Sequence, residues 1–139
     1  MIVTRDRVVE VLREAVADRG EDYRYQHPEA ADSSNDACLY VWNLPDGRQP
    51  GCIVGYVLHR LGVTLKQLSQ FDSTLFGGTG FETAVARFAV RALARDGAIT
   101  FPTDEEHDRV ASLLMAVQEY QDAGYTWGES VTHALDEAD

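Results

Sequence analysis

Lysine is almost missing from this chain. Lys66 stands alone beside eleven arginines, against 23 aspartates and glutamates, and the net charge is −11. A surface so acidic repels phosphate backbones and speaks against nucleic acid as a partner unless its bases cluster. Cysteine is scarce as well: Cys38 and Cys52 are the two thiols, and no CxxC occurs. That excludes a disulfide framework, and with no HxxxH among His27, His59, His107 and His133 it removes the usual zinc spacings. The two thiols are expected to be reduced. No apolar run approaches the ~18 residues of a membrane span, so no membrane partner is expected. The opening residues M-I-V-T-R-D-R lack the charged-then-apolar order of a secretion leader. The expected compartment is therefore the cytoplasm, that of the host cell if the chain is phage-encoded. No dinucleotide or P-loop fingerprint is present, so no cofactor is expected.

What is present reads as one α+β domain over residues 1–139. It should be mostly helical, with about five helices around a small β-hairpin or three-stranded sheet. The best-specified segment runs from Cys38 to Gly62. Cys38 to Trp42 has the aromatic and β-branched composition of a buried strand. Pro45-Asp46-Gly47 supplies a turn, and Cys52 to Leu61 is apolar on most sides, as in a buried helix. A first helix is expected from Thr4 to about Arg19, with Val8, Leu12, Ala15 and Val16 inward and Gly20 as its stop. Residues 21–36 read as a polar acidic loop.

Four capping boxes mark later helix starts: Thr64 with Gln67, Thr79 with Glu82, Thr103 with Glu106, and Thr126 with Glu129. The second of these helices should turn Phe81, Val85, Phe88, Ala89 and Ala92 inward. The third should turn in Val110, Leu113, Leu114 and Val117, and the last Trp127, Val131, Ala134 and Leu135. Ala98 to Phe101 is short and β-permissive and can add a strand to the hairpin.

Candidate chemistry is thin. Cys52 and His59 share a helix face, but two turns hold them roughly 10 Å apart, beyond the reach of a nucleophile–base pair. Asp104, Glu105, Glu106 and Asp108 fill a first helical turn, where the dipole already accounts for acids. The glycine-rich run Leu75 to Gly80 has no following lysine and reads as a connector. The segment 52–71 outlines a helix-turn-helix whose second helix would present Lys66, Gln67, Ser69 and Gln70, with Arg48 and Arg60 nearby. Arg87, Arg91 and Arg95 recur at every fourth position and form a basic stripe, for acidic neighbours in the chain or for an anionic partner. Tyr23 and Tyr25, aromatic residues in an acidic loop, suit either a partner or local packing.

The blocks C-L-Y-V-W-N…G-C-I-V-G-Y-V-L-H-R-L-G-V and A-G-Y-T-W-G-E-S-V, covering roughly residues 36–70 and 110–135, resemble small uncharacterised proteins encoded by actinobacterial phages. The resemblance implies a phage or prophage origin and carries no assigned activity. The preference for arginine over lysine agrees with it. The expectation is a non-enzymatic protein that acts by binding another protein, a host factor. Tyr23, Tyr25, Arg87, Arg91 and Arg95 are its candidate contacts, and a homo-oligomer is a further compatible state. The alternatives are a nucleic-acid module at 52–71, a DNA mimic with its acids in one contiguous stripe, and a small enzyme using Cys52 or His59.

Overall fold

A computed structural model describes residues 2–26, 39–72 and 86–138. Among them are six α-helices, one 3-10 turn and one two-stranded antiparallel sheet, a mostly helical α+β arrangement. Helix α1 (Arg5–Arg19) begins where the Thr4 hydroxyl accepts from the Arg7 N–H. It buries Val8, Val11, Leu12 and Ala15, and stops at Gly20, whose φ of +104° suits a residue without Cβ.

Strands β1 (Val41–Leu44) and β2 (Gly47–Pro50) pair with Leu44 opposite Gly47, leaving Pro45 and Asp46 as the turn. The expected strand from Cys38 thus begins three residues later; Cys38 itself lies outside the described residues. The backbone N–H groups of Tyr40 and Val41 donate to the two oxygens of Asp72, at 2.8 and 3.0 Å, instead of to another strand. Helix α2 (Ile53–Arg60) is buried at every position from Ile53 to Leu58, as its composition predicts. Helix α3 (Leu65–Ser69) is a single short piece, followed by a 3-10 turn at Gln70–Asp72.

Helix α4 (Ala86–Arg95) corrects an expectation. Its buried side chains are Ala86, Ala89, Val90 and Leu93, while Phe88 is 44% exposed. Phe81 and Val85 lie outside the described residues. The small residues Ala86 and Ala89 face helix α5 (Asp104–Asp122), where Gln118 reaches the Ala86 N–H at 2.7 Å. Helix α5 buries Val110, Leu113, Leu114 and Val117 as expected, and packs along α4 and along α6 (Trp127–Ala138). It also carries two buried glutamines. Gln121 accepts from the Ile53 N–H that opens α2, at 2.9 Å, as Gln118 does for α4.

The boxes at Thr64 and Thr126 close in both directions. At Thr103 only half forms: its hydroxyl accepts from the Glu106 N–H, but the Glu106 carboxylate turns to the Arg5 N–H at the start of α1. The Thr79 box lies outside the described residues. Ala98–Phe101 adds no strand to the hairpin. Thr100 instead makes a single parallel bridge with Ile2, and the Val3 N–H donates to the Thr100 carbonyl at 2.7 Å.

Candidate functional site

Tyr23 and Tyr25 sit on residues 20–26, a strap that runs on from α1 across the start of α6. The Trp127 and Gly128 N–H groups of α6 donate to the carbonyls of Tyr23 and Glu21, at 2.7 and 3.1 Å. The Tyr23 ring meets Trp127 edge-on at 4.8 Å. The Tyr25 hydroxyl accepts from the Leu39 N–H and from Trp42 Nε1, at 3.0 and 3.1 Å. Both rings are half-buried, and burial pushes the Tyr23 hydroxyl above its ordinary pKa. These contacts pack the strap against α6 and the hairpin.

The strap closes over a feature that no spacing in the sequence announces. The Arg19 guanidinium lies 4.8 to 5.4 Å from the ring centroids of Tyr23, Trp42, Tyr56 and Trp127. It donates to the carbonyls of Gly51 and Pro50 at 2.6 and 2.7 Å. One cation therefore joins α1, the strap, the hairpin end, α2 and α6. A guanidinium over aromatic faces is attracted by their quadrupoles, and its planar fork suits two adjacent carbonyls.

Arg87, Arg91 and Arg95 are all exposed on α4. Arg87 reaches the Ser112 hydroxyl at 3.5 Å. Among the described residues, none of the three lies within ion-pair distance of a carboxylate. Elsewhere Arg7, Arg60 and Arg109 pair with Glu10, Glu14 and Glu105. The stripe is thus a run of positive charge about 12 Å long on an acidic protein, with the exposed ring of Phe88 beside it.

The second helix of the helix-turn-helix outline at 52–71 is short. Helix α3 spans five residues, Leu65–Ser69, and the hairpin packs against it. Gln67 is held in the Thr64 box; Ser69 Oγ donates to the Lys66 carbonyl at 2.9 Å, and Gln70 Nε2 to the Gln67 carbonyl at 2.7 Å. Gln67, Ser69 and Gln70 are thus engaged on local backbone, while Lys66 stays exposed. Cys52 and His59 do not form a pair either. The buried Cys52 sulfur caps α2, accepting from the Gly55 N–H at 3.4 Å, and His59 Nδ1 lies 3.0 Å from the Val63 carbonyl. No group of three metal-ligating side chains comes together among the described residues, and Leu75 to Gly80 lies outside them.

An open cleft of about 290 Å³ lies between the strap and α6, lined by Glu21, Asp22, Thr126, Gly128, Glu129 and His133. The Thr126 N–H and hydroxyl hold the Glu129 carboxyl below its ordinary pKa, so it stays ionised. On the other side of His133, Tyr120 stacks on the imidazole at 5.1 Å and Tyr125 meets it edge-on at 5.4 Å. No motif in the sequence brings these tyrosines to His133. Their meeting with His133 depends on the turn at Gly124, which folds α6 back along α5. No family model, curated protein or solved structure matches the chain.

Proposed function

We propose that the protein works by binding another protein through the solvent face of α4. It would be an accessory protein of phage or prophage origin, acting on a host protein in the cytoplasm. The observation that carries the reading is the stripe of Arg87, Arg91 and Arg95, exposed and without a carboxylate among the described residues. The chain has nearly twice as many acids as bases, so a local run of arginines with no carboxylate beside it among the described residues stands apart. Arginine and aromatic side chains dominate binding hot spots, and Phe88 adds apolar area beside the guanidinium groups. The complementary surface is an acidic patch of the partner. On α1 the charges are mixed, with Arg7 set among Glu10 and Glu14. That mixing supports a protein-binding reading over a DNA mimic, which needs an unbroken acidic stripe.

The test reverses the stripe. A partner captured from host lysate is purified, and its affinity is measured against wild type and the triple variant Arg87→Glu, Arg91→Glu, Arg95→Glu. A loss of about tenfold or more is expected, smaller at high salt and partly restored by a reversed charge on the partner. Equal affinity for both proteins would sink the proposal. Salt-sensitive retention of duplex DNA, abolished by the same variant, would move the partner from protein to nucleic acid.

A further inference from the structure

We propose that the corner where α5 turns into α6 docks an arginine- or lysine-bearing segment of a partner protein. This surface is independent of the α4 stripe. Tyr120, Tyr125 and His133 form a closed set of rings, with Tyr120 and Tyr125 5.3 Å apart and nearly perpendicular. They hold one another in place, so no ring freedom is lost when a ligand settles on them. Tyr125 remains 39% exposed and His133 is exposed. Exposed aromatic faces attract cations, and the neighbouring charges select the same sign. Glu21, Asp22 and Glu129 line the cleft on one side of His133, and the Glu137 carboxylate beside the Tyr120 hydroxyl raises its pKa. Opposing charge comes from Arg24, whose guanidinium is tied to the Gly124 carbonyl, and from His133 when it is protonated.

The carboxylates are spread along the cleft and do not converge on a point, which suits a chain carrying separated cations better than a metal ion. A second copy of this chain offers arginines on α4, but each copy carries −11, and like net charge opposes that association. A basic segment of a different protein is the occupant that charge complementarity favours.

Titration calorimetry with a triarginine peptide, and with triglutamate of equal length, tests this. The arginine peptide should bind with saturation at one site and triglutamate should not. Tyr125→Ala, and separately Glu21→Gln with Asp22→Asn, should weaken binding about fivefold or more. Tyr125→Phe should keep it. The control pair Asp104→Asn with Asp108→Asn removes equal charge at the far end of α5 and should leave affinity unchanged. If the control weakens binding equally, the attraction is diffuse and the proposal fails. It also fails if triarginine does not bind. Self-association without peptide, abolished by Arg91→Glu, would give the corner to a second copy instead.

Discussion

Gly55 stands in the middle of α2 with the backbone of Tyr40 directly against it. A Cβ placed there would overlap the Tyr40 carbonyl oxygen and lie 2.9 Å from its Cα. The neighbour is main chain and cannot swing aside, so even a methyl group forces the hairpin off the helix. Gly55→Ala should lower stability by about 1–3 kcal/mol, and Gly55→Leu by more. A melting temperature unchanged in the alanine variant would refute this contact. Asp72 offers a different test. Burial pushes its carboxyl up to about 6 from an ordinary 3.8, against the opposing pull of the Tyr40 and Val41 N–H groups. Between those values the folded chain keeps a proton that the unfolded chain gives up. Stability from this group is therefore full below the window and lost as pH rises through about 6, a difference of about 3 kcal/mol. Asp72→Asn cannot ionise. Urea midpoints at pH 4.5 and 7.5 should differ less in the variant than in wild type, and an unaltered difference would show that Asp72 does not titrate in this range.

Several elements meet at Arg19. Arg19→Met keeps the stem and removes two charged hydrogen bonds and four ring contacts, and should lower stability by about 2–4 kcal/mol. Arg19→Lys should recover only part, because an ammonium lacks the planar fork. Denaturant unfolding of both variants checks this, and equal stability of Arg19→Met and wild type would contradict it. This hub also marks where sequence reading stops. Helix starts at Thr4, Thr64 and Thr126 were legible because donor and acceptor lie within four residues of each other. The inward stripes of α5 and α6 were legible because large apolar residues recur at helical spacing. Arg19's partners come from positions 23, 42, 50, 51, 56 and 127, which no local pattern links. Helix α4 was read with Phe88 inward because alanine says little about which side is buried. Glu106 looked like half of a local box, and only tertiary packing brings the Arg5 N–H within its reach. The α4 arginines were legible as a stripe, while the absence of nearby carboxylates among the described residues required the fold.

Over the whole molecule, the charge balance bears on nucleic acid as a partner. Duplex DNA binds through phosphates neutralised by Lys or Arg, and capable non-specific binders reach dissociation constants near 10⁻⁴–10⁻⁶ M. With −11 overall, Arg87, Arg91 and Arg95 supply too few contacts against 23 acids. No retention of random duplex DNA is expected at micromolar protein, even at low salt, in a fluorescence anisotropy titration; a salt-sensitive rise would overturn that. Among the described residues no helix is long and apolar enough to cross a membrane.

Gln118 and Gln121, one turn apart on α5, close the opening N–H of α4 and of α2 from outside those helices. Each shorter helix is therefore completed by a side chain distant in sequence, and α5 cannot leave without stripping both. Amide exchange should report this as shared fate. The Ile53 and Ala86 protons are expected to exchange together, at the rate of global opening, while those near the solvent-facing end of α6 fray sooner. Gln121→Ala should speed exchange at Ile53 and Ala86 alike, and acceleration confined to Ile53 would show that the two latches open singly.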